Sequence, residues 1–163
     1  MKNLARAIYL TLAILLGSLV TGCGGDFDKG FDAYESGDFA TALQEWTPLA
    51  EQGDADAQYN LGWVYENGQG VQQDYEEAVK WFTLAAEQGI APAQYNLGAM
   101  YREGEGVPKD SVYAYMWWNI AAAGGYKFAS ESRDSVAKEM TASQIAKAEE
   151  LARECVRKEY KGC

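Results

Sequence analysis

The sequence contains no histidine, and it has few basic side chains for its length. Its 163 residues include 14 lysines and arginines against 24 aspartates and glutamates, which gives a formal net charge of −10. Without histidine there is no Ser-His or Cys-His nucleophile pair, and the commonest metal ligand is missing. An acidic surface repels nucleic acid and anionic lipid headgroups. We therefore predict no catalytic residue, no metal or cofactor site and no nucleic-acid partner, whereas a basic partner is compatible with the charge.

The one long apolar run lies near the start of the chain. Residues 7–20 are mostly apolar and follow Lys2 and Arg6. A run of this length is too short to span a bilayer comfortably, but it has the length of a signal peptide. Two small residues then precede Cys23. This order of charged start, apolar run, small residues and cysteine resembles a bacterial lipobox.

The lipobox resemblance implies how the N-terminus is processed. Residues 1–22 are then a lipoprotein signal peptide, Cys23 carries a diacylglyceryl group and a further acyl chain such as palmitate, and residues 23–26 form a short tether. Gly24, rather than aspartate, follows the cysteine, which in this resemblance implies the outer membrane of the bacterial cell envelope, facing the periplasm. Several acyl chains make a stable anchor. A short membrane anchor or plain secretion is the alternative.

The hexapeptide AQYNLG occurs twice, at residues 57–62 and 93–98, which are 36 positions apart. The match continues through NGQGV and EGEGV and beyond. A period in this range indicates stacked units, none of which buries its apolar face alone. Within each unit apolar residues recur at i, i+4 and i+7, so each unit holds two amphipathic helices, A and then B. We expect the mid-helix Gly62 and Gly98 to let helix B cross close to helix A.

Two motifs relate these units to a known family. L-G-x-x-Y at residues 61–65 and A-x-x-x-F at residues 78–82 resemble the tetratricopeptide pattern, while the 36-residue period and the G-x-G-V loop resemble the Sel-one-like repeat (SLR) family. The resemblance implies an all-α, right-handed α-solenoid of antiparallel helix pairs. Asp74 and Asp110 are good N-caps for the two B helices.

The flanks fit the same architecture as imperfect units. We assign residues 27–54 to a tetratricopeptide-like first repeat, five residues shorter than the others, and residues 55–90 and 91–126 to SLR repeats. Residues 127–163 form a C-terminal capping helix pair, whose second helix begins at the capping box TASQ and continues to about Tyr160. The chain then holds eight helices in about 3.5–4 repeats.

The resemblance also implies a function and a site. Solenoids of this type are protein–protein adaptors, and the helix A positions that point away from helix B line a concave groove. Aligning the units, with an offset of 31 for the first one, gives an acidic groove with aromatic islands: Asp28, Asp32, Glu35, Asp56, Tyr59, Trp63, Glu66, Asn67, Tyr95, Ala99, Arg102 and Glu103. We predict a membrane-anchored, non-enzymatic scaffold whose groove binds a protein or peptide segment, with aromatic anchors and with acids that select basic residues.

Trp63 is the most informative groove residue, because its counterpart in the next unit is Ala99. The repeat itself does not require a large ring there, so Trp63 either binds the partner or packs against the first unit. Tyr59 and Tyr95 are identical between units, which favours a structural role. The other four tryptophans recur at helix B positions and are assigned to the core: Trp46, Trp81, Trp117 and Trp118.

Two other functions stay open at this point. Ser135 and Lys138 match the S-x-x-K motif of penicillin-binding proteins and β-lactamases. Some cysteine-rich SLR relatives are described as β-lactamase-like, so a cell-wall enzyme or a wall-glycan binder is the alternative. The motif stands here without its S-D-N and K-T-G companions. Lateral self-association of solenoids is the third hypothesis.

With Cys23 assigned to the lipid anchor, Cys155 and Cys163 are the two remaining cysteines. The predicted export would place them in a compartment that permits disulfides. A continuous helix would hold them ~12 Å apart, which is beyond disulfide reach. A bond therefore requires the final helix to end early and Gly162 to help the tail turn back. An intermolecular bond or two free thiols are the alternatives.

Overall fold

A computed structural model describes residues 24–163, and all of its regular structure is helical. The predicted signal peptide, residues 1–22, and the predicted lipid attachment site, Cys23, lie outside the described residues. From residue 24 onward, no helix combines the length and the hydrophobicity that crossing a membrane requires.

Residues 24–163 form eight α-helices and no strand, the number of helices that the repeat pattern predicts. The helices are α1 (Phe27–Glu35), α2 (Phe39–Glu51), α3 (Ala55–Asn67), α4 (Tyr75–Ala86), α5 (Ala91–Glu103), α6 (Ser111–Ala123), α7 (Lys127–Ala137) and α8 (Ala142–Arg157). Helices α1 and α2, α3 and α4, and α5 and α6 pack as A and B pairs, and each pair packs against the next. The described chain is therefore a helical repeat solenoid.

Local signals set the ends of the repeat helices. The Asp74 and Asp110 side chains accept hydrogen bonds from backbone N–H groups in the first turns of α4 and α6, as predicted. Gly68 and Gly104 adopt the left-handed conformation and end α3 and α5. Because these caps depend on residues close in sequence, the pattern in the sequence is enough to place them.

Each A helix has a glycine where its B helix crosses. A Cβ atom at Gly62 would lie 2.6 Å from the Phe82 ring, and one at Gly98 would lie 2.5 Å from the indole nitrogen of Trp118. The predicted close crossing of the helices is confirmed at both glycines. The loss of helix propensity, about 1 kcal/mol for each glycine, is offset by a large aromatic ring packed directly on the helix backbone.

The first unit has the same crossing, and this corrects the predicted alignment. A Cβ atom at Gly30 would lie 2.5 Å from Trp46, so Gly30 is the counterpart of Gly62 at an offset of 62 − 30 = 32. The offset of 31 is wrong by one residue. Trp46 remains the counterpart of Phe82 at 36, so the first unit is 36 − 32 = 4 residues shorter, not five.

Ring packing supports the corrected register. The Phe27 and Trp46 rings lie 6.1 Å apart, Tyr59 and Phe82 lie 5.8 Å apart, and Tyr95 and Trp118 lie 6.3 Å apart. Phe27 is therefore the counterpart of Tyr59. By the same offset, Phe31 is the counterpart of Trp63, so two aromatic side chains follow each other along the solenoid.

The corrected register moves two predicted groove residues. Asp32 becomes the counterpart of Val64, a buried residue that packs against the preceding unit, and Asp28 becomes the counterpart of Asn60. Since no helix pair precedes α1 within the described residues, Asp32 lies on the open end of the solenoid and is exposed. The prediction that Asp32 lines the groove is therefore wrong, because its helix position faces along the stack.

The open end is polar where the inner units are apolar. Lys29 and Glu45 form an ion pair at the positions that Leu61 and Trp81 occupy in the next unit. The Glu45 carboxylate also accepts a hydrogen bond from the Asp26 backbone N–H at 3.0 Å. Stacked repeats need such polar end faces for solubility.

The C-terminal residues depart from the predicted helix pair. Helix α8 packs along α6 instead of pairing with α7 over its length. It ends at Arg157, before the predicted Tyr160, because Glu159 and Tyr160 take positive φ angles of 52° and 65°. The chain then turns back and ends at Cys163.

The turn brings Cys155 and Cys163 into a disulfide, with their Cα atoms 5.3 Å apart. Gly162 has a φ of 65°, and its backbone N–H donates a hydrogen bond of 2.7 Å to the Glu87 carboxylate in the turn after α4. The tail therefore connects the fourth unit to the second.

Candidate functional site

An aromatic pocket lies between the first and second units. Its volume is about 190 Å³, and α1, α2 and α3 supply its lining: Phe31, Tyr34, Trp46, Tyr59, Asn60 and Trp63. Two of these, Tyr59 and Trp63, are among the predicted groove residues. We call this site the aromatic pocket.

The rings of the aromatic pocket form a base and a mouth. Trp46 is 1% exposed and lies at the base, whereas Phe31 and Trp63 are 44% and 39% exposed. The Tyr34 ring lies 5.6 Å from the Trp46 ring. A buried base with exposed walls gives the pocket a defined depth.

Hydrogen bonds hold Trp63 in place. Its indole N–H donates to the Tyr34 hydroxyl at 2.9 Å, and that hydroxyl donates to the Gln69 side-chain oxygen at 2.8 Å. The Asn67 amide donates to the Trp63 carbonyl oxygen at 2.9 Å. Trp63 thus contacts the first unit through its edge while its ring stays exposed. Packing against the first unit is confirmed, and binding of a partner stays a prediction.

The two repeated tyrosines have different surroundings. Tyr59 is half-buried against Phe82 and lines the pocket, and burial raises the pKa of its hydroxyl. Tyr95 packs against Trp118 and lies 5.0 Å from the Tyr126 ring, and its hydroxyl accepts a hydrogen bond from Ser132 at 3.4 Å. Tyr95 therefore belongs to the packing of the third and fourth units.

The helix A position of Phe31 is aromatic in the first two units only. The residues at the position of Phe31 are Trp63, then Ala99, then Ser135. Arg102, which was predicted to line the groove, makes two hydrogen bonds of 2.8 Å to both carboxylate oxygens of Glu139. Because this ion pair joins α5 to the turn after α7, Arg102 stabilises the stacking of units.

The acids near the pocket are exposed. Asp28, Glu35 and Asp56 all reach solvent. In the part of the chain that the structure describes, none of the three takes part in an ion pair. Residues 24–54 contain eight acids and one base, a net charge of 1 − 8 = −7. The first unit therefore provides a strong negative potential around the pocket.

Glu66 differs from the other groove acids because it is half-buried. Its Oε2 atom is buried, and no residue in 24–163 forms a hydrogen bond with it. Burial, and after it the negative charge of Glu105, raises the pKa of Glu66 to about 7. Burial and Glu105 also raise the pKa of Tyr75. Glu66 is thus protonated in part of the molecules at neutral pH.

The raised pKa of Glu66 predicts that ionisation of this residue destabilises the fold. The folded state binds the proton up to about pH 7, while the unfolded state releases it near the ordinary glutamate pKa of 4.5. The free energy of unfolding therefore falls as pH rises between these values. We expect a loss on the order of 1–2 kcal/mol, discounted for the exposed part of the side chain.

This loss is measured by urea unfolding at about pH 5 and pH 8. Glu66→Gln should remove most of the difference between the two pH values. Glu76→Gln, which changes an exposed acid of α4, should behave like the native chain. The same pH dependence in Glu66→Gln and in the native protein would contradict the assignment.

The residues of the S-x-x-K match are both exposed. Ser135 lies in α7 at the position of Trp63 and Ala99, and Lys138 ends that helix. Across residues 24–163, no group of three or more histidine, cysteine, aspartate or glutamate side chains is arranged to hold a metal ion.

Of the other four lining residues, Trp46 is assigned to the core by its sequence position, and three carry no groove prediction: Phe31, Tyr34 and Asn60. The sequence does contain a signal for Phe31, which is the neighbouring Gly30. This glycine lies inside an A helix, and Trp46 is the aromatic residue of the B helix that crosses it. Aligning the three helix A glycines would have placed Phe31 with Trp63. No comparable local signal marks Tyr34, whose role depends on the residues it contacts in α3.

Two stretches of the chain match a known repeat family. The family model described as Sel1 repeat matches residues 55–90 and 91–126. A protective antigen of uropathogenic Escherichia coli strains that displays an SLR fold is 31% identical, with a TM-score of 0.76. A Sel1 repeat protein from Oxalobacter formigenes is 32% identical, with a TM-score of 0.66. No curated protein matches the chain.

The two matches cover most of this chain but less than half of each relative. The first covers 80% of this chain and 30% of the antigen, and the second covers 70% of this chain and 47% of the Oxalobacter protein. The chain therefore spans less than half the length of either solved relative.

Proposed function

We propose that the chain is a lipid-anchored adaptor of the bacterial envelope. It is a solenoid that contains two Sel1 repeats, and repeats of this type generally form scaffolds for protein–protein interactions. In this proposal the helix A side of the first two units binds a segment of a protein partner. The protein is not an enzyme in this proposal, and its partner is attracted by the acidic first unit.

The observation that carries the proposal is the pair of exposed rings at the mouth of the aromatic pocket, Phe31 and Trp63. Ala99 and Ser135 stand at the same position in later units, so packing of the repeat does not demand large rings there. Exposed aromatic residues beside a pocket are typical of the anchors that dominate protein interfaces.

The start of the described chain supports an anchor that holds the solenoid close to a membrane. A Cβ atom at Gly25 would lie 1.7 Å from the Glu45 carbonyl oxygen, so the chain is already packed on α2 at this residue. The proposed tether from Cys23 to Gly25 is then at most about 7 Å long. This is half of the ~14 Å expected when the tether extends to Phe27.

The proposal is tested by cross-linking in intact envelopes, followed by identification of the captured proteins. The native protein is compared with a Trp63→Ala, Asp56→Ala variant that circular dichroism shows to be folded. We expect one envelope protein to be captured by the native chain and lost from the variant. The matched control is Phe128→Ala, Glu76→Ala, which removes one exposed ring and one first-turn acid elsewhere.

The control variant should capture the same partner as the native chain. Equal capture by the native and the Trp63→Ala, Asp56→Ala proteins would contradict binding at this site. Retention of the native chain on purified cell-wall glycan, with loss in the same variant and no captured protein, would replace the adaptor with a wall-glycan binder.

A further inference from the structure

We infer that the aromatic pocket accepts a single cationic side chain, arginine or lysine, of the segment that this protein binds. This inference rests on the proposed function, because it names the chemistry of the partner at the same site. Its three supports are the ring faces that the pocket presents, the charge around it and its size.

The pocket lining is mostly aromatic, and the polar groups of three of its rings are paired within the protein. The indole N–H of Trp63 is used by Tyr34, and the Tyr34 hydroxyl is used by Trp63 and Gln69. The indole N–H of Trp46 donates to the Phe27 carbonyl oxygen at 3.2 Å. With these polar edges paired inside the protein, a ligand meets the rings, whose π-faces are negative, together with the polar groups of Tyr59 and Asn60. Such faces attract a guanidinium or an ammonium group, most strongly when the ring is tryptophan.

The surrounding charge favours a cation over a neutral apolar side chain. On α1, Asp28 and Glu35 lie three residues before and four residues after Phe31, and on α3, Asp56 lies three residues before Tyr59. Residues at these spacings are neighbours on one face of a helix. In residues 24–79 the sole basic residue is Lys29, and it is paired with Glu45. An incoming cation therefore meets acids without a competing base.

The size of the pocket limits the ligand to one side chain. The volume of about 190 Å³ is below the ~300–1,000 Å³ of pockets that take whole small-molecule ligands. This space holds one long side chain. Neighbouring residues of the same segment would lie over the exposed Phe31 and Trp63 rings.

The inference is tested with four blocked Gly-Ser peptides that differ in one central residue: arginine, lysine, citrulline or norleucine. Citrulline keeps the shape of arginine without its charge, and norleucine keeps the aliphatic chain of lysine. Binding is followed at low ionic strength by the indole N–H signals of Trp63 and Trp46 in two-dimensional NMR spectra. We expect saturable shifts with the arginine and lysine peptides, and about tenfold weaker binding of the two neutral peptides.

Single substitutions distinguish a cation–π site from a purely apolar pocket. Phe31→Leu keeps an apolar wall but removes its π-face, so it should weaken the arginine peptide several-fold and leave the norleucine peptide unchanged. Asp56→Asn should weaken the two charged peptides only. Phe128→Leu, which changes an exposed ring outside the pocket, should have no effect. Circular dichroism checks that each variant is folded.

Two results would overturn the inference. One is norleucine binding as tightly as arginine, which would make the pocket an apolar site, and the other is no shift of the Trp63 signal with any peptide. Neither result decides the proposed function, which depends on the cross-linking experiment. A partner that is captured by the native chain and lost from the Trp63→Ala, Asp56→Ala variant would keep the adaptor while the cationic ligand is abandoned.

Discussion

Replacing Phe82 with alanine should lower the free energy of unfolding by about 3–5 kcal/mol. The Phe82 ring is fully buried in the core of the second unit and packs against the backbone of α3 at Gly62. It also lies 5.8 Å from the Tyr59 ring. Because Gly62 has no side chain that could fill the space, the variant would leave a cavity at the crossing of the two helices. Unfolding in urea, followed by circular dichroism, measures the change.

The matched control for Phe82→Ala is Phe128→Ala. Phe128 is 51% exposed on α7, so its truncation should change stability by no more than about 0.5 kcal/mol. The two variants remove the same atoms, one set from a fully buried position and the other from an exposed one. If both cost the same, the crossing at Gly62 is not held by the ring. Phe82→Leu, which keeps apolar volume, should recover part of the loss.

Removing the disulfide should cost about 2–3 kcal/mol and should loosen α8 first. The bond closes a short loop between Cys155 and Cys163, and on the chain-entropy model a loop of this length contributes that amount. It also holds the tail where the Gly162 N–H donates to Glu87. Without the bond, the tail and the last turns of α8 lose their connection to the second unit.

The variant for this test is Cys163→Ser, since Cys155 is buried and its side chain should be kept. Urea unfolding with and without a reductant gives the free-energy difference for the native chain. The variant should show the lower value in both conditions, because it has no bond to reduce. Hydrogen exchange should become faster in α8 than in α3 or α5. A native chain that is equally stable with and without reductant would contradict the prediction.

Only part of the lining of the aromatic pocket could be predicted from the sequence. Trp63 could be singled out because its counterpart is Ala99, a contrast that is visible in the repeat itself. Phe31 is absent from the predicted groove because the offset of 31 aligns the short first unit one residue out of register. A one-residue error on a helix turns a position by about 100°, since a turn holds 3.6 residues. Asp32 was therefore placed in the groove although it lies on the open end.

The repeat period, the helix caps and the glycines at the helix crossings could all be predicted from the amino-acid sequence. These features depend on residues within one unit, so the 36-residue period carries them. Three features became visible only in the folded chain: the packing of α8 on α6, the pairing of Cys155 with Cys163 and the raised pKa of Glu66. Each of these depends on burial, on the path of the chain or on contacts between elements distant in sequence, such as the Glu66–Glu105 proximity. No local pattern of residues specifies such contacts.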